Sequence, residues 1–270
     1  VASIGWLHNL HSSSRAVRAL VDALVVKLEL ADVVLSTEEL AAGLYGLKNK
    51  SSDAGEVRRL VGALASLAKR VTGAFTPGEI ASALSGLHRM SGSNEEVQRL
   101  LDAVCPLVSK CQQPLQVDQL TAAMKGVSLI GSDSPASRQL IQALAEKLAS
   151  SAAVLHAHSV MVCCRALQHM KTDATEVRQL IDVLIDKVET SPEPLSGSQV
   201  SGAILALTGR SDTDPMAAGL LQMLTSKMQQ MQTQFSPRHI ASAVSAVSGI
   251  AGANEVSRTF LRLLTQKIAE

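Results

Sequence analysis

A forty-residue register runs through the chain without insertion or deletion. Large apolar residues recur at Leu20, Leu60, Leu100, Leu140, Leu180, Leu220 and Phe260, and again at Leu24, Leu64, Val104, Leu144, Leu184, Leu224 and Leu264. A second set starts from Leu40 and continues through Ile80, Leu120, Val160, Val200 and Ile240, with companions starting at Leu44 and Leu47. A repeat of this kind constrains the fold before any motif does, because each unit is one supersecondary element that must stack on its neighbours.

Each unit holds two helical patterns. Helix A spans roughly residues 37–48 in the first full copy, where Leu40, Leu44 and Leu47 are spaced four and three apart, one face of an α-helix. Helix B spans roughly 54–70, with Val57, Leu60, Val61, Leu64 and Ala68 as its stripe. Start signals agree with this reading. Ser36 with Glu39, Thr76 with Glu79 and Ser196 with Gln199 have capping-box spacing ahead of helix A. Pro77 and Pro237 stand at the first helical position, where a missing N–H costs nothing. An apolar residue precedes every cap (Leu35, Phe75, Leu115, Leu155, Leu195, Phe235) at hydrophobic-staple distance from the Leu40 column. Asp53 with Glu56, Ser93 with Glu96 and Asp173 with Glu176 are expected to open helix B in the same way.

One hairpin cannot bury its own apolar faces, so the units are expected to stack as an all-α solenoid of about seven repeats. The boundaries fall at 1–34 (a partial copy), 35–74, 75–114, 115–154, 155–194, 195–234 and 235–270, as one array that is part of a longer chain. Residues 1–10 read as the end of an earlier helix A, since Ile4 and Leu7 fall on its columns. Small residues flank helix A at the columns of Ala41, Gly43 and Gly46, which lets neighbouring A helices approach closely. With only five aromatic residues, the core must be aliphatic, which suits packed helices better than a β-sandwich.

One side of helix A points away from the Leu40 face. It carries Glu38, Ala42, Tyr45 and Asn49 in the first copy, then Gly78, Ser82, Ser85 and Arg89, then Asp118, Ala122, Lys125 and Leu129. Later copies place His158, Val162, Arg165 and His169, then Ser198, Gly202, Leu205 and Gly209, then Arg238, Ser242, Ser245 and Gly249. A regular frame with a variable face is either a modular binding surface or ordinary solvated surface. As a binding surface, its candidate residues are Tyr45, Asn49, Ser85, Arg89, Lys125, Arg165, His169 and Arg238.

Helix B carries two charged columns. Arg18, Arg58, Arg138, Arg178 and Arg258 form one, and Arg18–Asp22 and Arg178–Asp182 have the spacing of exposed pairs. Lys27, Lys147, Lys187, Lys227 and Lys267 form the other, expected to cover the edge of the apolar stripe while their ammonium groups reach water.

Stretches such as "FTPGEIASALSGLHRMSGSNEEVQRLLDAV" resemble the helical-hairpin repeats of the octotricopeptide and heptatricopeptide type, also associated with RAP-domain proteins. The shared features are small residues within helix A, a Gly-Leu pair near its end (Gly46–Leu47, Gly86–Leu87) and a long apolar helix B. The resemblance implies an organellar protein, of mitochondrion or plastid, that binds single-stranded RNA or serves as a structural subunit of a large organellar complex. Arg89, Lys125 and Arg165 would meet phosphates, with Tyr45 or His169 stacking on bases. The formal charge of +1 and the Ala/Ser/Gly-rich face favour the alternative, a protein–protein scaffold or peripheral subunit of a ribosome or an energy-converting assembly.

No catalytic role is expected. The sequence contains no phosphate-binding loop, nucleophile elbow or zinc-protease motif. His156, His158, Cys163 and Cys164 lack the paired spacing of a zinc site, and Cys164 occupies a core column, so no metal or other cofactor is expected. Four cysteines point to a reducing compartment rather than a disulfide framework. No long uncharged apolar run reads as a membrane span, and no targeting segment is visible. The chain opens at Val1 as though inside a helix, which reads as a mature form or a piece of something longer.

Overall fold

The computed structural model describes residues 2–10, 14–30, 32–171 and 173–269. Val1 and Glu270, the outer bounds of the expected array, lie outside the described residues. Helices form where the apolar period places them. The A helices are α1 (Ala2–Gly5), α3 (Thr37–Tyr45), α5 (Pro77–Gly86), α7 (Val117–Val127), α9 (Ala157–Ala166), α11 (Gly197–Ile204) and α13 (Pro237–Ala246). The B helices are α2 (Arg15–Glu29), α4 (Gly55–Ala68), α6 (Glu95–Ser109), α8 (Pro135–Ser150), α10 (Thr175–Glu189), α12 (Pro215–Gln229) and α14 (Glu255–Ala269). There is no β-strand among the described residues. The protein is all-α, built from stacked helical hairpins.

The described residues fall into two compact units, one ending at Ser151 and the other starting at Ala152. In the first unit the A helices α1, α3, α5 and α7 pack in sequence, as do the B helices α2, α4, α6 and α8. In the second, α9, α11 and α13 form the A layer, and α10, α12 and α14 the B layer. The core lies between the layers. Leu40, Ile80, Leu120, Val160 and Val200 from helix A are fully buried, as are Leu100, Leu180 and Leu220 from helix B. Each such side chain contributes about 1.5–3 kcal/mol of transfer free energy.

The caps form as the spacing requires. Ser36 Oγ accepts the Glu39 N–H at 3.1 Å, and Glu39 accepts the Ser36 N–H at 3.0 Å. Thr76 with Glu79, and Ser196 with Gln199, make the same reciprocal pair. All six staple residues from Leu35 to Phe235 are buried.

In the first unit the close approach of A helices has a backbone cause. A Cβ on Gly46 would lie 2.0 Å from the carbonyl oxygen of Ile4, and one on Gly86 or Gly126 would lie 1.9 Å from that of Leu44 or Leu84. Only a residue without a side chain permits that contact.

Three expectations are corrected. Helix A ends about three residues early, because the chain tightens after residue 45 into turns or 3-10 helix, such as Leu167–His169. Asp53, Ser93 and Asp173 do not cap helix B: the caps are Ala54, Asn94 and Ala174, with no side-chain cap bond. Asp53 is instead held in the preceding loop by the Ser51 hydroxyl at 2.8 Å, and Ser93 pairs with Ser91 at 2.8 Å. Finally, Leu20 is 43% exposed and Val244 is 53% exposed, although their columns are core elsewhere. Helices α2 and α13 each have a described neighbour of their own layer on one side only.

Candidate binding face of the A helices

The outward face of helix A is solvated in both units. Glu38, Ala42, Asn49, Arg89, Lys125, Arg165, His169 and Arg238 are exposed, while Tyr45 and Ser85 are half-buried. Position on the helix explains this for Glu38, Ala42, Lys125, Arg165 and Arg238, which lie opposite the Leu40 column; Asn49, Arg89 and His169 lie past the ends of their α-helices.

Within the first unit the structure brings some of these residues together. Glu38, Ala41, Ala42 and Tyr45 of α3 face Gly78, Glu79 and Ser82 of α5 across a groove of about 500 Å³, which Gly5 and Thr76 complete. Tyr45 is fixed at its edge. Its ring lies 4.9 Å from that of His8 at an interplanar angle of 59°, and the Lys48 ammonium stands 4.9 Å from its centroid and donates to its hydroxyl at 3.3 Å. A cation over an aromatic face stabilises by about 0.5–1 kcal/mol at an exposed site.

The remaining candidates are dispersed. Asn49 follows α3 in the left-handed region, at φ 69°. Ser85 turns its hydroxyl onto its own helix, donating to the Ser82 carbonyl at 3.0 Å. His169 lines a separate polar cavity of about 350 Å³ in the second unit, with Asp173, Thr208, Gly209, Arg210 and Asp214 among its walls. Arg238 sits in the first turn of α13.

Arg89, Lys125, Arg165 and Arg238 on the A face take no side-chain partner among the described residues. On the B side Arg15, Lys27 and Arg262 are likewise exposed without a side-chain partner among the described residues, while other arginines find partners within the chain. Arg58 donates to the carbonyls of Ser52 and Asp53, both at 3.0 Å, and Arg138 donates to the Ser132 carbonyl at 3.5 Å. Arg70 pairs with Asp32 at 2.8 Å. The expected Arg18–Asp22 pair is replaced by links between successive B helices: Asp22 pairs with Arg59, and Arg18 approaches Glu56 at 3.9 Å. Interhelical partners lie within reach of both side chains.

The lysine column also departs from expectation. Lys227 is 2% exposed and donates to the Ser191 carbonyl at 2.6 Å, and Lys147 donates to the Cys111 carbonyl. Both ammonium groups satisfy carbonyls just beyond the end of the preceding B helix, rather than reaching water as a solvated edge would. Helix C-termini leave carbonyls unpaired and attract cations.

Sequence reasoning missed two buried cations. Lys50, 1% exposed, donates to the carbonyls of Leu7 at 2.7 Å and Leu10 at 2.5 Å. Arg210 occupies the same column four copies later and donates to the carbonyls of Leu167, Met170 and Ala206. Burial pushes both groups below their usual range, and Asp214, at 3.5 Å, partly offsets this for Arg210. The available signal was a charge in a column otherwise filled by Met90, Ile130, Met170 and Ile250.

Cys163 and Cys164 are fully buried, and burial pushes the Cys164 thiol up to about 12. His156 meets Glu193 at 3.2 Å, whose carboxylate also accepts the Ala157 N–H at 2.8 Å and so caps α9 from the next copy. That N–H bond is the main cause holding the Glu193 carboxyl below its usual range. Among the described residues no group of three or more His, Cys, Asp or Glu is placed to hold a metal ion, and no helix is long and apolar enough to cross a membrane.

No protein-family model matches the chain, and no curated protein matches it either.

Proposed function

We propose that the protein is a non-catalytic helical-repeat scaffold of an organelle, mitochondrion or plastid, that binds single-stranded RNA along the outward face of its A helices. The observation that carries this reading is the set of exposed cations on the A face. Arg89 and Lys125 of one unit, and Arg165 and Arg238 of the other, are exposed and take no side-chain partner among the described residues. Unpaired cations spaced along stacked helices suit a polyanion, and a half-buried aromatic ring such as Tyr45 suits a base. The organellar placement rests on the resemblance to the octotricopeptide and heptatricopeptide repeats.

The test is a titration of the chain with single-stranded RNA over a range of salt. Binding through phosphates gives a log–log slope of roughly −0.7 per contact on single strands. Affinity that ignores salt, or no binding at low salt, removes the reading.

A second reading has its own support. Helix α2 and the segment after it leave Leu20, Val26, Leu30, Val33 and Val34 exposed, with Leu30 at 79%. Exposed apolar side chains in such number favour a protein neighbour, as in a peripheral subunit of a large organellar complex. Co-fractionation with a large assembly that survives nuclease treatment, without RNA binding by the isolated chain, would favour it.

A further inference from the structure

The groove between α3 and α5 carries charge of the wrong sign for a phosphate. Its lining holds two carboxylates, Glu38 and Glu79; the Lys48 ammonium is engaged with the Tyr45 ring and hydroxyl and is not among the lining residues. The situations of the two carboxylates differ. Glu79 is committed to structure, accepting the Thr76 N–H at 2.7 Å and the Thr37 hydroxyl at 3.1 Å. Glu38 is exposed and takes no partner among the described residues. The floor is small: Gly5, Ala41, Ala42 and Gly78 leave room for a flat ring, and a Cβ on Gly78 would meet nothing within 4 Å. Tyr45 supplies an aromatic wall.

We propose that this groove takes one guanine base of the bound strand, with Tyr45 against its ring and the Glu38 carboxylate on its donor edge. The inference rests on the RNA reading above and names the base that one part of the face selects. The chemistry is that of an acceptor-only group. Guanine presents two adjacent donors on its Watson–Crick edge, the ring N1–H and the exocyclic N2 amino group, and a carboxylate accepts both at once. Adenine and cytosine set a ring-nitrogen lone pair beside their single amino donor, and uracil sets its one N–H between two carbonyls. Each of these places a lone pair against the carboxylate. Glu38 and Tyr45 lie two turns apart on one helix, roughly 10 Å along its axis. A base whose ring rests at Tyr45 spans most of that distance, and the glutamate side chain covers the rest. The acidic rim keeps the strand's phosphates outside, towards Arg89 beyond the end of α5.

The test uses the whole chain and three fluorescein-labelled uridine strands that differ at one central position: guanosine, inosine or adenosine. Inosine keeps the N1–H and lacks the amino group. The expected order of affinity is guanosine, inosine, adenosine, with roughly tenfold between first and last, the size of one good bidentate pair. Glu38→Gln, checked for unchanged helicity, brings the three strands together without altering the salt slope. Arg89→Ala weakens all three alike. If wild-type protein binds the three strands equally with a normal salt slope, the guanine site falls and the RNA reading stands. The same follows if Glu38→Gln keeps the preference, or tightens all strands equally by removing a repulsion. If no strand binds at any salt, both fall, and the acidic groove is left to a basic side chain of a protein partner.

Discussion

The Lys50 ammonium lies 2.7 Å from the carbonyl oxygen of Leu7, forty-three residues earlier and at the end of the preceding A helix. Arg210 repeats the relationship with Leu167 at the same separation, 3.3 Å away. Two copies of the repeat thus use a buried cation where their sisters use Met or Ile, and each closes the carbonyl end of the turn below it.

The Lys50 charge is held in place against its burial, and this gives a pH signature. Burial lowers its folded-state value from 10.5, so between the folded and unfolded values the unfolded chain binds more protons. The cost of the charge is present in full below the folded value and fades as pH rises towards 10.5. Wild type should therefore gain stability relative to Lys50→Met on going from neutral pH into that window. Urea unfolding of both proteins across that range measures it. A difference that stays constant, or moves towards the variant, contradicts the assignment.

Gly86 and Gly78 lie in the same helix and should respond in opposite ways to alanine. At Gly86 the new Cβ would sit 1.9 Å from the Leu44 carbonyl oxygen, so α3 and α5 must separate. At Gly78 it meets nothing within 4 Å. Gly86→Ala is expected to cost about 1–3 kcal/mol or more, as overpacking does. Gly78→Ala should be neutral or stabilising by up to about 1 kcal/mol, because it removes backbone entropy from the unfolded chain. Equal effects in denaturant melts would mean that the A helices do not meet through that column.

Leu100 and Leu20 share a column and differ in burial, one fully buried and the other 43% exposed. Leu100→Ala should cost about 2–5 kcal/mol. Leu20→Ala should stay within about 1 kcal/mol, the range of exposed substitutions. Chemical denaturation of the two variants gives the comparison, and a large loss at Leu20 would show that α2 is covered in solution.

That pair also shows what a sequence can and cannot reveal here. The column fixed the side chain's direction on its helix, because periodicity is a local property. Burial also needs a neighbour, and nothing within residues 15–29 states whether one is present. The same division explains the cations. Asp53 and Ser93 have the spacing of caps, but loop hydroxyls two residues away compete for them. Lys147 and Lys227 look like solvated edge residues until the carbonyls of the previous copy are placed beside them. The exposure of Lys125, Arg165 and Arg238 was legible because it follows from helix geometry opposite a core stripe; Asn49, Arg89 and His169 lie past their helix ends, where that geometry does not apply. The groove that joins Glu38 and Tyr45 to α5 was not legible, because it depends on the small residues at Gly5, Ala41 and Gly78 acting together.

The proposed RNA face makes a charge prediction with an internal control. Arg89 and Lys125 are exposed and unpartnered on the A face of the first unit. Arg59 and Arg70, in the same unit, are bound to Asp22 and Asp32 on the B side. If the strand lies on the A face, Arg89→Ala with Lys125→Ala removes two phosphate contacts and flattens the salt slope by up to about 1.4. Arg59→Ala with Arg70→Ala removes the same formal charge and should leave the slope unchanged, since those groups release no counterion from the strand. Each exposed pair lost on the B side costs at most about 1 kcal/mol, so the control remains folded. Filter binding of the two double variants against one uridine strand decides the matter. Equal losses would mean that the net charge, not the face, holds the strand. A larger loss from the B-side variant would move the binding surface to the other layer.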